Sequence, residues 1–200
     1  MPKYVDHHAR RQLVTEAAAE IVAARGVEAL TVRGVAAATG FSTAVVSHYF
    51  ADKRDLLRST FRAAANRSTA RFEAAAAAER RSVVSCLEAL LPLDAHSRRD
   101  WRLFVAFWGT AASDGELADE QRGRVRSARV RIEKIVAEQF PIGRSEGRVR
   151  ADARSLLTLV QGIATQAVFD PDDWTPRRQS EQLRVGVAAL LPADAGRIAG

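Results

Sequence analysis

The sequence predicts an all-α protein of about nine helices. Apolar residues recur at helical spacing in nearly every long segment, strand-type alternation between turn signals is missing, and Gly, Pro and short polar clusters break the periodic stretches.

The first helix is expected over about residues 9–25, with Leu13, Ala17, Ile21 and Ala24 on one face and Gly26 as its C-terminal stop. Thr31 then caps a short helix, Val32 to Thr39, ended by Gly40. Ser42 caps a second short one, Thr43 to Tyr49. Asp52 opens a long helix whose stripe Leu57, Phe61, Ala64, Ser68 and Phe72 continues through Ala74 to Ala78, ending near Glu79. Five more helices follow: Ser82 to Leu91, Ser97 to Ala112, Glu116 to Phe140, Ala151 to Phe169 and Pro176 to Leu191. Pro92, Gly115, Pro141-Ile142-Gly143 and Asp170-Pro171-Asp172-Asp173 punctuate them. Arg144 to Arg150 reads as a polar, mobile loop, and Ala195 to Gly200 as a fraying end.

Composition narrows the function classes. With 200 residues, 47% hydrophobic and 27% charged, the chain can bury one good core or two small ones. Its single cysteine, Cys86, excludes an internal disulfide, and neither Cys-x-x-Cys nor His-x-x-x-His occurs. No apolar run approaches the roughly 20 residues of a membrane span, and the first residues lack the apolar centre of a signal peptide. A cytoplasmic protein without membrane contact is expected. His7, His8, His48 and His96 are scattered, and no Gly-rich phosphate loop or Gly-x-Ser-x-Gly elbow is present. Catalysis, a cofactor and a metal are therefore not expected.

The net charge of +6 is unevenly placed: residues 1–71 carry +5 and residues 72–200 only +1. A basic segment on a nearly neutral body suits a nucleic-acid-binding module, because phosphate neutralisation supplies most non-specific affinity. A merely solvated basic surface is the alternative.

Thr31 to Lys53 narrows that choice. Two short helices joined by Gly40-Phe41 have helix-turn-helix dimensions. Val32, Val35, Ala36, Val46 and Phe50 would hold the pair against the first helix, leaving Ser42, Thr43, Ala44, Ser47 and His48 outside. Small residues let a recognition helix sit deep in a major groove, and a Ser or Thr hydroxyl can bond base edges or phosphates. His48, Tyr49 and Lys53 suit phosphate clamping, which sets register rather than sequence; packing for Tyr49 and plain solvation for Lys53 are the alternatives. Thr31 and Arg33, at the start of the preceding helix, complete the candidate DNA-binding set, Arg33 for a phosphate or for solvent.

Gly26-Val27, Thr31-Val32, Val35-Ala36, Gly40-Phe41-Ser42, His48-Tyr49-Phe50-Ala51-Asp52-Lys53 and Leu56-Leu57 make the chain resemble the TetR family of transcriptional regulators. Ser42 to Phe50, with Ala106-Phe107-Trp108 and the long charged helix after it, resembles most the branch of the choline-responsive repressor BetI. The resemblance implies a homodimer whose first three helices bind a palindromic operator and whose larger domain binds a small-molecule effector that releases the DNA. It places Thr43, Ala44 and Ser47 at base-facing positions and Ser42, His48, Tyr49 and Lys53 at backbone-contacting ones. Many relatives carry Gly in place of Ala44 and an aromatic residue in place of Ser47, so fewer bases are expected to be read directly. The implied division is a DNA-binding domain over 1–52 and an effector-binding and dimerisation domain over 53–200, with 53–79 as connecting helix.

In the second domain Trp101, Phe104 and Trp108 share a helix face, as core packing or as a pocket wall able to hold a cation. Thr158, Gln161 and Thr165 form a polar stripe on an otherwise apolar helix, and buried polar groups need partners. Trp101, Phe104, Trp108, Gln161 and Thr165 are the ligand-binding candidates. Leu156, Val160, Ile163 and Ala167, with Leu183, Val187 and Leu190 on the last helix, either close the core or meet a second copy in a four-helix interface. The family resemblance favours the interface.

Overall fold

The computed structural model describes residues 7–142 and 144–192, and among them every regular element is helical. The elements are α1 (His7–Arg25), a 3-10 turn (Val27–Ala29), α2 (Val32–Thr39), α3 (Thr43–Tyr49), α4 (Lys53–Ala77), α5 (Val83–Glu88), α6 (Ala95–Ala111), α7 (Gly115–Gln139), α8 (Glu146–Phe169) and α9 (Pro176–Leu190). Two compact units form. The first comprises residues up to Arg67 with Arg99–Gln121, and the second Ser68–Arg98 with Arg122 onwards.

Local chemistry sets the short helices of the first unit. The Gly34 N–H donates to the Thr31 hydroxyl at 3.0 Å, and the Val45 N–H to that of Ser42 at 3.3 Å, so each helix opens on a satisfied donor. Gly40 ends α2 at φ +70°, a left-handed conformation in which a Cβ would be strained. Asp52 accepts the Asp55 N–H at 2.7 Å and so caps α4. Val14, Ala18 and Val22 of α1 are buried, as are Leu30, Val35, Val46, Phe50, Leu57 and Phe61.

The buried face of α1 is displaced from the expected one. Ile21 is shared, but Leu13 is 57% exposed and Ala24 is exposed, whereas Val14, Ala18, Ala19 and Val22 are buried. An alanine-rich helix offers two apolar stripes about one residue apart, so periodicity alone does not choose between them. The small side chains of Ala18 and Ala19 allow the close approach that decides it.

An ion network joins three helices of this unit. Arg67 of α4 bonds Asp100 of α6 at 2.6 Å and also pairs with Glu16 of α1. Arg99 reaches Glu16 and Glu20, each at 2.8 Å, and Asp100 at 3.4 Å. Burial opposes the Arg99 charge, yet Glu20, Glu16 and Asp100 outweigh it and hold the guanidinium above its ordinary pKa.

In the second unit α8 starts well before the expected Ala151. Of the expected loop Arg144 to Arg150, the part from Glu146 is helix: Ser145 accepts the Arg148 N–H at 3.3 Å, and Arg144 and Arg148 converge on Asp152 at 2.5 and 2.9 Å. Glu146 to Arg150 is the charged start of the helix, and the Arg144 side chain just ahead of it is buried over the Phe140 ring at 4.5 Å. Ala195 to Gly200 lies outside the described residues. Thr175 caps α9, Pro176 follows at its first position, and a Cβ on Gly186 would come within 2.5 Å of Leu159 Cδ2, so glycine lets α9 approach α8.

The stripe expected to face a second copy is the inner face of the α8–α9 pair. Leu156, Val160, Ile163, Ala167, Leu183 and Val187 are buried within the single chain, and Leu190 is half-buried. In the single chain these apolar stripes lie on the inward faces of α8 and α9. Exposed on the same helices are Phe169 at 71%, Val185 at 66%, Gly162, Ala188 and Ala189.

Candidate nucleic-acid interface

Helix α3 separates its residues by environment. Val46 and the following Phe50 are buried, while Ser42, Thr43, Ala44, Ser47 and His48 are exposed on one continuous surface. Thr31 and Arg33 are exposed at the start of α2. The Thr31 and Ser42 hydroxyls accept capping bonds and keep their own O–H free to donate to a phosphate.

Two candidates have partners that sequence reading did not supply. The Lys53 ammonium stands 3.3 Å from the Glu28 carboxylate and 3.4 Å from the Glu28 carbonyl. That carboxylate is almost wholly exposed, so the pair is weak and a phosphate can compete for the lysine. Half-buried Tyr49 places its Oη 2.8 Å from Nδ1 of His7, and the rings of His7, His48 and Tyr49 cluster, with His48 and Tyr49 edge-on at 5.2 Å. Phe50 is core, as expected, with the Arg11 guanidinium 5.2 Å from its ring centre. No sequence signal points to His7 or Glu28, which lie 42 and 25 residues from their partners.

The recognition helix leads into α4 through Phe50, Ala51 and Asp52, and α4 is anchored within the same unit. Arg54 pairs with Asp114 and Glu116, and the Arg62 Nε donates to Glu120 at 2.9 Å. Hydrogen bonding from Arg54 holds the Asp114 carboxyl below the usual range.

The aromatic candidates lie on α6 in the first unit, and Gln161 and Thr165 on α8 in the second. Trp101 and Phe104 are buried, with Phe61 edge-on to Phe104 at 5.7 Å and stacked on Phe107 at 3.8 Å. Trp101 is in turn edge-on to Phe104 at 5.6 Å. Trp108, half-buried and edge-on to Trp101 at 5.8 Å, differs: its indole N–H is shielded from solvent and has no hydrogen-bond partner among the described residues. Gln161 and Thr165 are half-buried, and Thr158 is exposed with its hydroxyl donating to the Arg154 carbonyl. Two surface cavities of the second unit, one beside Cys86 and one beside Phe140 and Arg144, are lined by none of these candidates. Among the described residues no three acidic, His or Cys side chains converge as metal ligands, and no helix is long and apolar enough to cross a membrane.

Residues 14–60 match the family described as bacterial regulatory proteins of the tetR family, and residues 78–192 match the C-terminal domain of BetI-type transcriptional repressors. The second match alone spans more than half of the chain. The chain belongs to the TetR family. It is a transcriptional regulator with a BetI-type C-terminal domain. The regulator PksA of Bacillus subtilis is 25% identical, over 86% of this chain and 84% of its own. The regulator BetI of Burkholderia mallei is 29% identical, over 82% and 84%. A transcriptional regulator from Saccharomonospora viridis, solved in complex with choline, shares the fold at a TM-score of 0.74 and 18% identity, covering 90% of this chain and 95% of that one. The TetR-type match runs from the middle of α1 through α2 and α3 into α4, the same stretch that presents the polar surface of α3.

Proposed function

We propose that this TetR-family regulator is a homodimeric repressor that binds a palindromic operator through residues 1–52 and is released by a small cation bound in residues 53–200. The observation that carries the reading is the exposed surface of Thr43, Ala44, Ser47 and His48 over the buried Val46. Thr43, Ala44 and Ser47 face base edges, while Thr31, Arg33, Ser42, His48, Tyr49 and Lys53 contact the backbone. Two such heads engage half-sites about 34 Å, or a small multiple, apart. The exposed apolar residues Phe169 and Val185, with Ala188 and Ala189, supply the surface for the second copy.

For the effector, the support is the orphaned indole N–H of Trp108 beside Trp101, together with a choline-bound neighbour of the same fold. Aromatic faces attract quaternary ammonium groups, and a ligand oxygen would satisfy the N–H. Asp100, next to Trp101 in sequence, is engaged by Arg67 and Arg99, and Asp114, six residues after Trp108, by Arg54, so the rings rather than a counter-charge would hold the cation. Helix α4 is the lever: it starts three residues after α3, and its Arg54 and Arg62 bonds tie it to the residues following α6. A ligand favouring the released state about 100-fold supplies roughly 2.7 kcal/mol per site.

A duplex enriched from a random library by the full chain tests the DNA reading. Lys53→Ala should weaken all duplexes and lower the salt slope by about 1, whereas Thr43→Ala should change base preference at one position per half-site. An altered preference with an unchanged slope for Lys53→Ala would overturn its role. Choline titrated into the wild-type complex should release DNA, and Trp108→Ala should abolish release while keeping affinity within about twofold. DNA binding indifferent to choline and to other quaternary ammonium ions would favour a regulator without a cation sensor.

A further inference from the structure

The contact between α1 and the end of α3 is used by nothing described so far. Nδ1 of His7 and Oη of Tyr49 are 2.8 Å apart across 42 residues of sequence, and the His7 ring is edge-on to the phenol at 5.9 Å. This hydrogen bond has two polarities with opposite consequences for an anion. A neutral imidazole with its hydrogen on Nε2 accepts at Nδ1 and takes the phenol hydrogen, so Oη turns lone pairs outward. An imidazolium donates from both nitrogens, so Oη accepts from Nδ1–H and its own hydrogen is free for a phosphate oxygen. We infer that His7 is a positioning residue which sets the direction of the Tyr49 phenol hydrogen and so couples proton uptake to DNA binding. The inference rests on the proposed DNA-binding role of this face.

Charged and titratable groups of α1, α3 and α4 surround this contact. On α1, His8 adjoins His7, Arg10 lies 5.8 Å from the Phe41 ring centre, and Arg11 lies over Phe50 and donates to Ser59 of α4 at 3.3 Å. On α3, His48 lies 6.3 Å from His7, ring to ring. At the start of α4, Asp52 caps the helix, Lys53 pairs with Glu28, Arg54 with Asp114, and Asp55 with Arg58 while accepting the Ala51 N–H. A phosphate that accepts the phenol hydrogen is bound more strongly when His7 carries its second proton, because Nδ1–H then donates to Oη and leaves that hydrogen free. The complex therefore holds more protons than the free head, and affinity rises as pH falls.

The test uses the duplex enriched by the wild-type chain, with affinity measured at constant ionic strength near pH 6 and pH 8, the span over which histidine ordinarily changes charge. Wild type should bind about tenfold tighter at the lower pH, the scale of one charge-assisted hydrogen bond gained. Tyr49→Phe should lose most of that difference. His7→Gln, whose carboxamide donates at both pH values, should be nearly flat and should match or exceed wild-type affinity at the higher pH. His96→Gln, in the second unit and outside the DNA-binding set, should keep most of the dependence. An undiminished pH dependence in Tyr49→Phe or His7→Gln would overturn the inference, because the protons would then act only through net charge. Failure of the wild-type chain to enrich any duplex would overturn the DNA-binding reading and this inference with it, whereas an enriched duplex bound equally at both pH values would overturn this inference alone.

Discussion

Asp100→Ala is expected to destabilise the chain by about 3 kcal/mol, the scale for breaking a buried ion pair from one side. Asp100 is 0% exposed and receives hydrogen bonds from Arg67 at 2.6 Å and 3.3 Å and from Arg99 at 3.4 Å. Alanine would leave Arg67 with Glu16 and Arg99 with Glu16 and Glu20, carboxylates that are more exposed and better screened. Those remaining partners keep the cost at the lower end of the range for buried pairs. Asp100→Asn retains the acceptor oxygen without its charge and should cost about half as much. Urea unfolding at fixed protein concentration measures both, since dimerisation makes apparent stability concentration-dependent. A loss below about 1 kcal/mol for alanine would mean that the network contributes little to holding α1 against α4 and α6.

Charges placed on opposite sides of the α8–α9 pair should have opposite kinds of effect. Ile163 is buried in the single chain, so Ile163→Asp places an unpaired carboxylate among apolar side chains at a cost of about 3–5 kcal/mol, much of the stability of an ordinary domain. Expression as aggregate or loss of a cooperative transition is expected, irrespective of oligomeric state. Val185 is 66% exposed, so Val185→Asp should leave the helices folded by circular dichroism. Sedimentation of that variant at micromolar concentration should show a monomer, and operator affinity should fall steeply because the second half-site is lost. A Val185→Asp dimer of wild-type stability would remove the outward face from the interface. A folded, cooperative Ile163→Asp monomer would instead restore the inner stripe as the contact between copies.

Most of the fold was legible because its signals are local. Thr31, Ser42 and Asp52 each bond a backbone N–H three residues on, and Gly40 adopts the left-handed backbone that ends α2. Such features depend on a few neighbouring residues, so spacing in the chain identifies them. The outward placement of Thr43, Ala44, Ser47 and His48 was legible too, because Val46 and Phe50 must turn inward and a short helix leaves little freedom for the rest.

Misread features all required knowledge of a neighbour distant in sequence. Leu13 and Val14 are equally plausible inward residues on an isolated helix, and only packing selects Val14. Arg144 to Arg150 has the composition of a loop, and from Glu146 becomes the start of α8 once Asp152 gathers Arg144 and Arg148. The stripes of α8 and α9 fit a dimer interface or a core equally well by period, and only the tertiary structure shows them buried in the single chain, apart from half-buried Leu190.

From composition and spacing follow the helical class, the caps, the polar face of α3, and the residues that resemble the TetR family. Each of these is encoded within one or two turns of chain, where backbone geometry limits the possible neighbours. The partners of Tyr49, Lys53 and Asp100, the orphaned N–H of Trp108, and the side of the α8–α9 pair that stays exposed are set by packing instead. A hydrogen bond or a buried charge depends on distances of a few ångströms between segments tens of residues apart, and helical periodicity carries no record of which segments meet.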